Sequence, residues 1–189
     1  HIPRGKQTVP SMHETAYPRL KSSISKKELE RYYTPTEAEL AMALGSASGN
    51  TGRLSFLVLL KTFQRLGYFE MVSDVPERIV AHLARQLNLR KSPSLAEYDG
   101  SGTRRRHVAS IREFLQVKAF DETARKALLD ATREAALTKE DLADIINVGI
   151  EELVRLRFEL PAFSTVQRTA QYAKTQVNRQ IYGQVTAEL

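Results

Sequence analysis

Apolar positions recur along this chain with the 3.6-residue period of helices, and no stretch shows the alternation of a half-buried strand. Residues 1–24 have no apolar period; Pro3, Pro10 and Pro18 stand among Ser and basic residues and predict a flexible, extended basic arm. Ser25 caps a short helix, KKELERYY. Thr34-Pro35-Thr36-Glu37 then reads as a capping box, with Pro at the first helical position and Glu three residues after Thr34. That helix runs to about Leu44 and stops in GSASGNTG, read as a flexible loop. From Arg53 to Leu66, Leu54, Phe56, Leu57, Val58, Leu59, Leu60, Phe63 and Leu66 cover most of the circumference, which places the helix in the middle of a core. Gly67 suits a left-handed C-cap, with Tyr68 and Phe69 folded against the helix end.

Ser73 or Asp74 is the expected start of the next helix, whose stripe is Ile79, Val80, Leu83, Ala84 and Leu87; His82 falls between the stripe and the polar side and reads as an ordinary surface or edge histidine. Residues 94–98 make a short helical turn. Asp99-Gly-Ser-Gly is the clearest break and divides the chain into two expected modules, 25–98 and 102–189. Thr103 is expected to cap RRRHVASIREFLQV, with His107 packed beside Val108, Ile111, Phe114 and Leu115. Asp121 opens a helix with Ala124, Leu128, Leu129 and Ala136 inward and Arg125, Lys126 and Arg133 outward. Thr138-Lys-Glu-Asp opens another, buried through Leu142, Ile145, Ile146, Ile150, Leu153, Val154 and Leu156. Leu160-Pro161-Ala162-Phe163 turns the chain into a last helix capped by Ser164.

That last helix carries the most informative polar face. Val166, Ala170, Ala173, Val177 and Ile181 form its apolar stripe. At about 100° per residue, Arg168, Gln171, Tyr172, Thr175, Asn178, Arg179 and Tyr182 fall on the opposite side. No acid occurs from Thr165 to Ala187. Exposed helix faces ordinarily mix Glu with Lys; a face of donors, amides and phenols suits phosphates and base edges.

Charge strengthens this reading. The chain of 189 residues carries a net charge of +6, with 42% apolar residues. The positive charge gathers near the start, just after residue 100 and on the last helix, while residues 138–163 are acidic. Arg104, Arg105 and Arg106 occupy the first turn of a helix, where cations oppose the macrodipole; helix amides and three guanidinium groups together suit a phosphate. The helix pair joined at Pro161 resembles a helix-turn-helix reader. No run is long and apolar enough to span a membrane, and no signal peptide is recognisable, so the expected location is cytoplasmic.

The chemistry of catalysis has no foothold in the pattern. Four His at positions 1, 13, 82 and 107 and no Cys give no zinc site of ordinary spacing. There is no Walker loop and no GxGxxG before a helix, and no Gly-x-Ser-x-Gly elbow. Glu140-Asp141 and Glu151-Glu152 read as solvated helix faces. The chain is expected to be non-catalytic and to need no cofactor.

Five stretches, in order, resemble the N-terminal region of the Tn-three family transposases of bacterial replicative transposons. They are Tyr33-Thr-Pro-Thr-Glu-Ala-Glu-Leu; Arg53-Leu-Ser-Phe with Arg65-Leu-Gly-Tyr-Phe; Val75-Pro-Glu-Arg-Ile-Val-Ala-His-Leu-Ala-Arg-Gln-Leu; Arg104-Arg-Arg-His-Val-Ala-Ser-Ile-Arg; and Leu160-Pro-Ala-Phe-Ser-Thr-Val-Gln-Arg. The resemblance spans roughly residues 28–180. Leu115-Gln-Val stands where the family has Gly-Phe, so the turn there is expected to differ. The resemblance implies helical DNA-binding modules that grip terminal inverted repeats. It also implies a separate metal-dependent, acidic-triad nuclease domain further along the parent protein, association with that remainder, nucleoid association when bound, and homodimer formation as a question for the full-length protein.

Together these readings predict an all-α protein of two packed helical modules with helix-turn-helix-like elements. The predicted function is sequence-specific binding of double-stranded DNA at a transposon end. Arg168, Gln171, Tyr172, Thr175, Asn178 and Arg179 are the groove candidates, and Arg104, Arg105 and Arg106 the phosphate candidates. The competing expectation is a protein-interaction module of a larger nucleoprotein assembly.

Overall fold

The computed structural model describes residues 9–189, and among them it is all-α: eight α-helices and no strand, with one isolated parallel bridge between Lys118 and Phe158. The helices are α1 (Lys26–Glu28, continuing into a π-helical turn Leu29–Tyr33), α2 (Glu37–Ser46), α3 (Gly49–Leu66), α4 (Glu77–Gln86), α5 (Gly102–Leu115), α6 (Glu122–Ala136), α7 (Leu142–Arg155) and α8 (Phe163–Ala187). Two compact units form: residues 18–117, called the first unit, and residues 9–17 with 118–189, the second.

The division therefore falls after Val117 and not at the Asp99-Gly-Ser-Gly break. The reason is that α5 belongs to the first core. Ile111 is fully buried there, and His107 stands edge-on to Phe56 of α3 at 5.2 Å. The break is itself tied down: Asp99 accepts from the backbone N–H groups of Val72 (2.8 Å) and Ser73 (3.1 Å) and from the Ser73 hydroxyl (2.8 Å). Burial alone would raise the Asp99 carboxyl, but these bonds and the Arg104 guanidinium outweigh it and hold the group below its ordinary value.

In the first unit α3 is the axis. Leu54, Phe56, Leu57, Val58, Leu59 and Leu60 are wholly buried, as an apolar circumference demands, and each such side chain contributes about 1.5–3 kcal/mol over exposure. Gly49 to Gly52, expected in a loop, already belong to α3, so GSASGNTG is largely helical. Gly67 closes α3 in the left-handed conformation (φ 77°), its N–H bonded to the Phe63 carbonyl, and Phe69 folds back to 4.4 Å from the Phe63 ring. The capping box lies two residues beyond the expected one: Thr36 accepts from the Glu39 N–H, and Glu39 accepts from the Thr36 N–H. Pro35 is itself buried and precedes the cap. Ser73 and Asp74 form a 3₁₀ turn, and α4 starts after Pro76. Gln116 takes the left-handed conformation (φ 54°) at the end of α5.

Two histidines knit this unit. His82, expected at the surface or at the edge of the apolar stripe, is buried and bonds the Thr34 hydroxyl at 2.9 Å. His107 is packed, as its place beside Ile111 suggested. Its Nδ1 lies 2.6 Å from the Tyr98 hydroxyl and its ring also bonds the Ser46 backbone, linking α2, α5 and the turn between α4 and α5. Phe114, placed with the apolar side, stays 39% exposed.

The second unit is built on α6, α7 and α8. Asp121 caps α6 as expected, whereas α7 is capped by Asp141 and not by Thr138, and Val154 faces outward at 55% exposure. Small residues let the helices approach closely. A Cβ at Gly149 of α7 would stand 2.7 Å from Leu128 Cδ1 and 3.1 Å from Thr132 Cγ2. The described part of the N-terminal segment that read as a flexible arm is packed on this unit: Tyr17 is buried, donates its hydroxyl to the Pro161 carbonyl (2.8 Å) and meets Phe163 edge-on at 5.5 Å. Asn147 and Gln167 bind the backbone of Ala16 and Pro10. An aromatic and an amide anchor outweighed the proline content. Residues 1–8, the remainder of that expected arm, lie outside the described residues.

Candidate nucleic-acid interface

Helix α8 starts one residue before its expected cap. Ala162 occupies the N-cap position without a side-chain bond, and Ser164 lies inside the first turn. Tyr17 fixes both flanks of this start, through the Pro161 carbonyl and the Phe163 ring, which explains how the helix dispenses with a hydroxyl cap. Val166, Ala170, Ala173 and Val177 are buried against α6 and α7. Beyond Val177 every residue of α8 is exposed, including Ile181 at 46%.

The opposite face stands as its spacing predicted. Arg168, Gln171, Tyr172, Asn178 and Arg179 are exposed and Thr175 half-exposed. On a regular helix these positions fall within an arc of about 120°, and Arg168 and Arg179 stand about 16 Å apart along the axis. No carboxylate interrupts the face. Its polar groups bond chiefly along the helix. The Thr175 hydroxyl donates to the Gln171 carbonyl (2.9 Å), and Arg168 Nε donates to the Ser164 carbonyl (3.2 Å), leaving the guanidinium end outward.

One neighbour was missed. Gln176 accepts at its Oε1 from the Arg133 guanidinium of α6, through Nε (3.0 Å) and Nη2 (2.5 Å). With the oxygen so occupied, its amide nitrogen donates to the Tyr172 hydroxyl at 2.5 Å. Tyr172 thereby accepts at its oxygen and keeps its own proton to donate outward. The i,i+4 spacing of Tyr172 and Gln176 was the available signal; nothing in the sequence pairs Gln176 with Arg133. Lys174, by contrast, is buried and bonds the Glu140 carbonyl.

The three arginines of α5 separate in role. The helix cap is Ser101, which accepts from the Arg104 N–H, not Thr103. Arg104 turns inward: its Nη1 lies 3.1 Å from both Asp99 Oδ1 and the Glu70 carbonyl, and its side chain is 13% exposed. Arg105 and Arg106 are exposed, as their spacing indicated, with Arg106 Nη2 bonded to the Thr103 hydroxyl at 3.0 Å. The cationic end of α5 thus offers two guanidinium groups and not three. Seven residues link α7 to α8, longer than the roughly 3–4 residues of a usual helix-turn-helix connection. Among the described residues no three His, Asp or Glu side chains gather as a metal site, and no helix is long and apolar enough to cross a membrane.

The chain is similar to the transposase for transposon Tn501 of Pseudomonas aeruginosa, with 28% identity over 159 residues. That match takes in 84% of this chain but only 16% of the relative, so the chain corresponds to a small part of that protein. A family profile described as a domain of unknown function, DUF4158, matches residues 10–173, ending within α8 after Arg168, Gln171 and Tyr172 and before Thr175, Asn178 and Arg179. Most of the chain lies within that match, and the resemblance to the N-terminal region of Tn-three family transposases, carried by five separate motifs, agrees with it: the chain belongs to the DUF4158 family.

Proposed function

We propose that this chain binds double-stranded DNA sequence-specifically at the terminal inverted repeats of a transposon, as a non-catalytic region of a DNA transposase. The observation that carries the reading is the acid-free face of α8. It sets two guanidinium groups, amides and a donating phenol on one exposed arc of a helix held by α6 and α7. A major groove about 12 Å wide admits such a helix, and Arg, Asn and Gln are the side chains that read guanine and adenine edges in pairs of bonds. Arg105 and Arg106 supply backbone contacts, which fix position without reading sequence. The similarity to a transposase supports the biological setting. Strand cleavage and transfer belong, on this reading, to the remainder of the parent protein.

Selection of bound duplexes from a randomised pool tests the proposal. It predicts one enriched motif, and Arg168→Ala should then cost about 1–3 kcal/mol on that motif and relax a single position. A pool that never converges, or a variant that binds as the parent does, counts against it. A second reading has its own observation. Ile181 and Val185, one turn apart near the end of α8, are 46% and 53% exposed, which suits docking of another protein segment in an assembly. Convergent selection together with an intact response to Ile181→Ser would decide for DNA.

A further inference from the structure

Arg133, placed by its spacing on the outer side of α6, spends donors inside the second unit. Its Nε and Nη2 both reach Gln176 Oε1 of α8, at 3.0 and 2.5 Å. A guanidinium is all donors and stays charged at any working pH, so it fixes which end of the amide faces it. The Gln176 nitrogen is thereby turned away from Arg133 and donates to the Tyr172 hydroxyl at 2.5 Å, one turn back on α8. Tyr172 is exposed and stands one turn after Arg168 on the outer arc. The bonds run from a cation through an amide to a phenol, and each link polarises the next.

A phenol O–H lies near the plane of its ring, which leaves two favoured directions at the oxygen. Gln176 takes one of them as a donor, and the phenol proton takes the other. A tyrosine without such a neighbour turns its hydroxyl to donate or to accept, as its partner requires. Tyr172 has lost that freedom. On a major-groove edge the difference carries information: guanine N7 and O6 and thymine O4 are acceptors, whereas cytosine presents only the N4 amino donor.

We infer that Arg133 is a positioning residue that acts through Gln176 to fix Tyr172 as an outward donor, so that this phenol demands an acceptor on the DNA and, where it meets a base, rejects cytosine. That role rests on the DNA-binding reading of α8 and adds a direction to it. Arg133 and Gln176 touch no base, yet they decide which partner Tyr172 accepts. A phosphate oxygen is an acceptor as well; the shared chemistry is an exposed lone pair, and the test separates the two sources.

Gln176→Glu reverses the relay. A carboxylate still accepts from Arg133 but has no N–H, so Tyr172 donates to it and turns its lone pairs outward. Duplexes are selected from a randomised pool with the full chain, parent and Gln176→Glu, each with Tyr172 kept or changed by Tyr172→Phe, and affinities are then measured at fixed salt. If the phenol meets a base, Gln176→Glu moves the preferred base at one position from guanine or thymine to cytosine or adenine, with a discrimination of roughly threefold to tenfold, and Tyr172→Phe abolishes the move. If it meets a phosphate, Gln176→Glu keeps the motif and weakens every duplex by roughly threefold to tenfold, and the loss disappears with Tyr172→Phe. Either result upholds the relay and names its acceptor. A change of the same size with and without the phenol, or no change at all, overturns it and leaves the DNA reading standing. A parent pool that never converges overturns both. Arg133→Ala should weaken the Tyr172-dependent contact, and Arg133→Lys, which still donates to the amide oxygen, should restore it. Thermal melts identify the variants that stay folded, and a folded Arg133→Ala variant that binds as the parent does contradicts the positioning role.

Discussion

In the first unit Lys61, Arg104 and His107 turn inward and meet Glu39, Asp99 and Tyr98; in the second, Arg168, Asn178 and Arg179 turn outward from a helix whose inner stripe is already packed. Lys61 reaches both Glu39 oxygens at 3.2 Å, and Gln64 adds a bond at 2.9 Å. Burial alone would raise the Glu39 carboxyl, but the Thr36 N–H, Lys61 and Gln64 outweigh it and hold it below its ordinary value. Such charges meet their counter-ions inside the fold and lie largely out of reach of an outside partner. The second unit packs its helices on small residues and on Leu, Ile and Val, and so leaves a whole polar face of α8 exposed. A cationic residue in the sequence says little until its acceptor inside the fold is known.

The sharpest way to break that contrast is to remove one inward charge. Lys61→Ala should destabilise the first unit by about 3–5 kcal/mol in urea unfolding, because Glu39 is left buried without its counter-ion. Replacing both members by apolar residues of similar size should restore most of the loss. In the second unit, Gly149→Val should cost about 1–3 kcal/mol by forcing Leu128 and Thr132 apart, with α7 amides exchanging faster than those of α3.

The arginine run offers a finer comparison within three residues. Arg104→Ala should lower stability by about 1–3 kcal/mol, since it leaves Asp99 and the Glu70 carbonyl short of a donor. It should leave the salt dependence of DNA binding alone. Arg105→Ala should do the reverse, changing stability by less than about 0.5 kcal/mol and the salt slope by about 0.9. Identical behaviour of the two would erase the distinction drawn from their geometry.

Protonation separates the units more gently. Burial lowers the pKa of both His82 and His107 below the ordinary 6.5, with the charges of Arg85 and Arg106 adding to the effect. The unfolded chain therefore binds protons that the folded first unit refuses. Stability is full above about pH 6.5 and declines as pH falls through that value toward the lower folded-state values. Hydrogen exchange at about pH 7.5 and 5.5 should show α3 losing protection at the lower pH and α7 keeping it, once intrinsic exchange rates are corrected.

Much of this was legible in the chain, and what was not has identifiable causes. The all-round apolarity of α3, the Gly67 cap, the packed His107 and the outer arc of α8 each follow from spacing, because helical period alone decides them. The capping positions were off by two or three residues where another Ser, Thr or Asp stood close by: Thr36 displaced Thr34, Ser101 displaced Thr103 and Asp141 displaced Thr138. Local sequence offers each the same bond, and tertiary packing chooses. The ordered segment around Tyr17 and the buried His82 depend on partners 144 and 48 residues away, which no local pattern announces. The same holds for Arg104, whose run of three hides that one member turns inward to Asp99 and the Glu70 carbonyl, and for the union of Arg133 with Gln176.

The central claim is that base reading resides in the outer face of α8. Its most direct test is the ratio of affinities for a selected and a scrambled duplex, measured by fluorescence anisotropy at fixed salt for the parent and for a variant combining Arg168→Ala, Gln171→Ala and Asn178→Ala. The account predicts that the parent prefers the selected duplex strongly and that the variant, still folded, binds both duplexes alike through its remaining backbone contacts. A folded variant that keeps the parent's preference would contradict it.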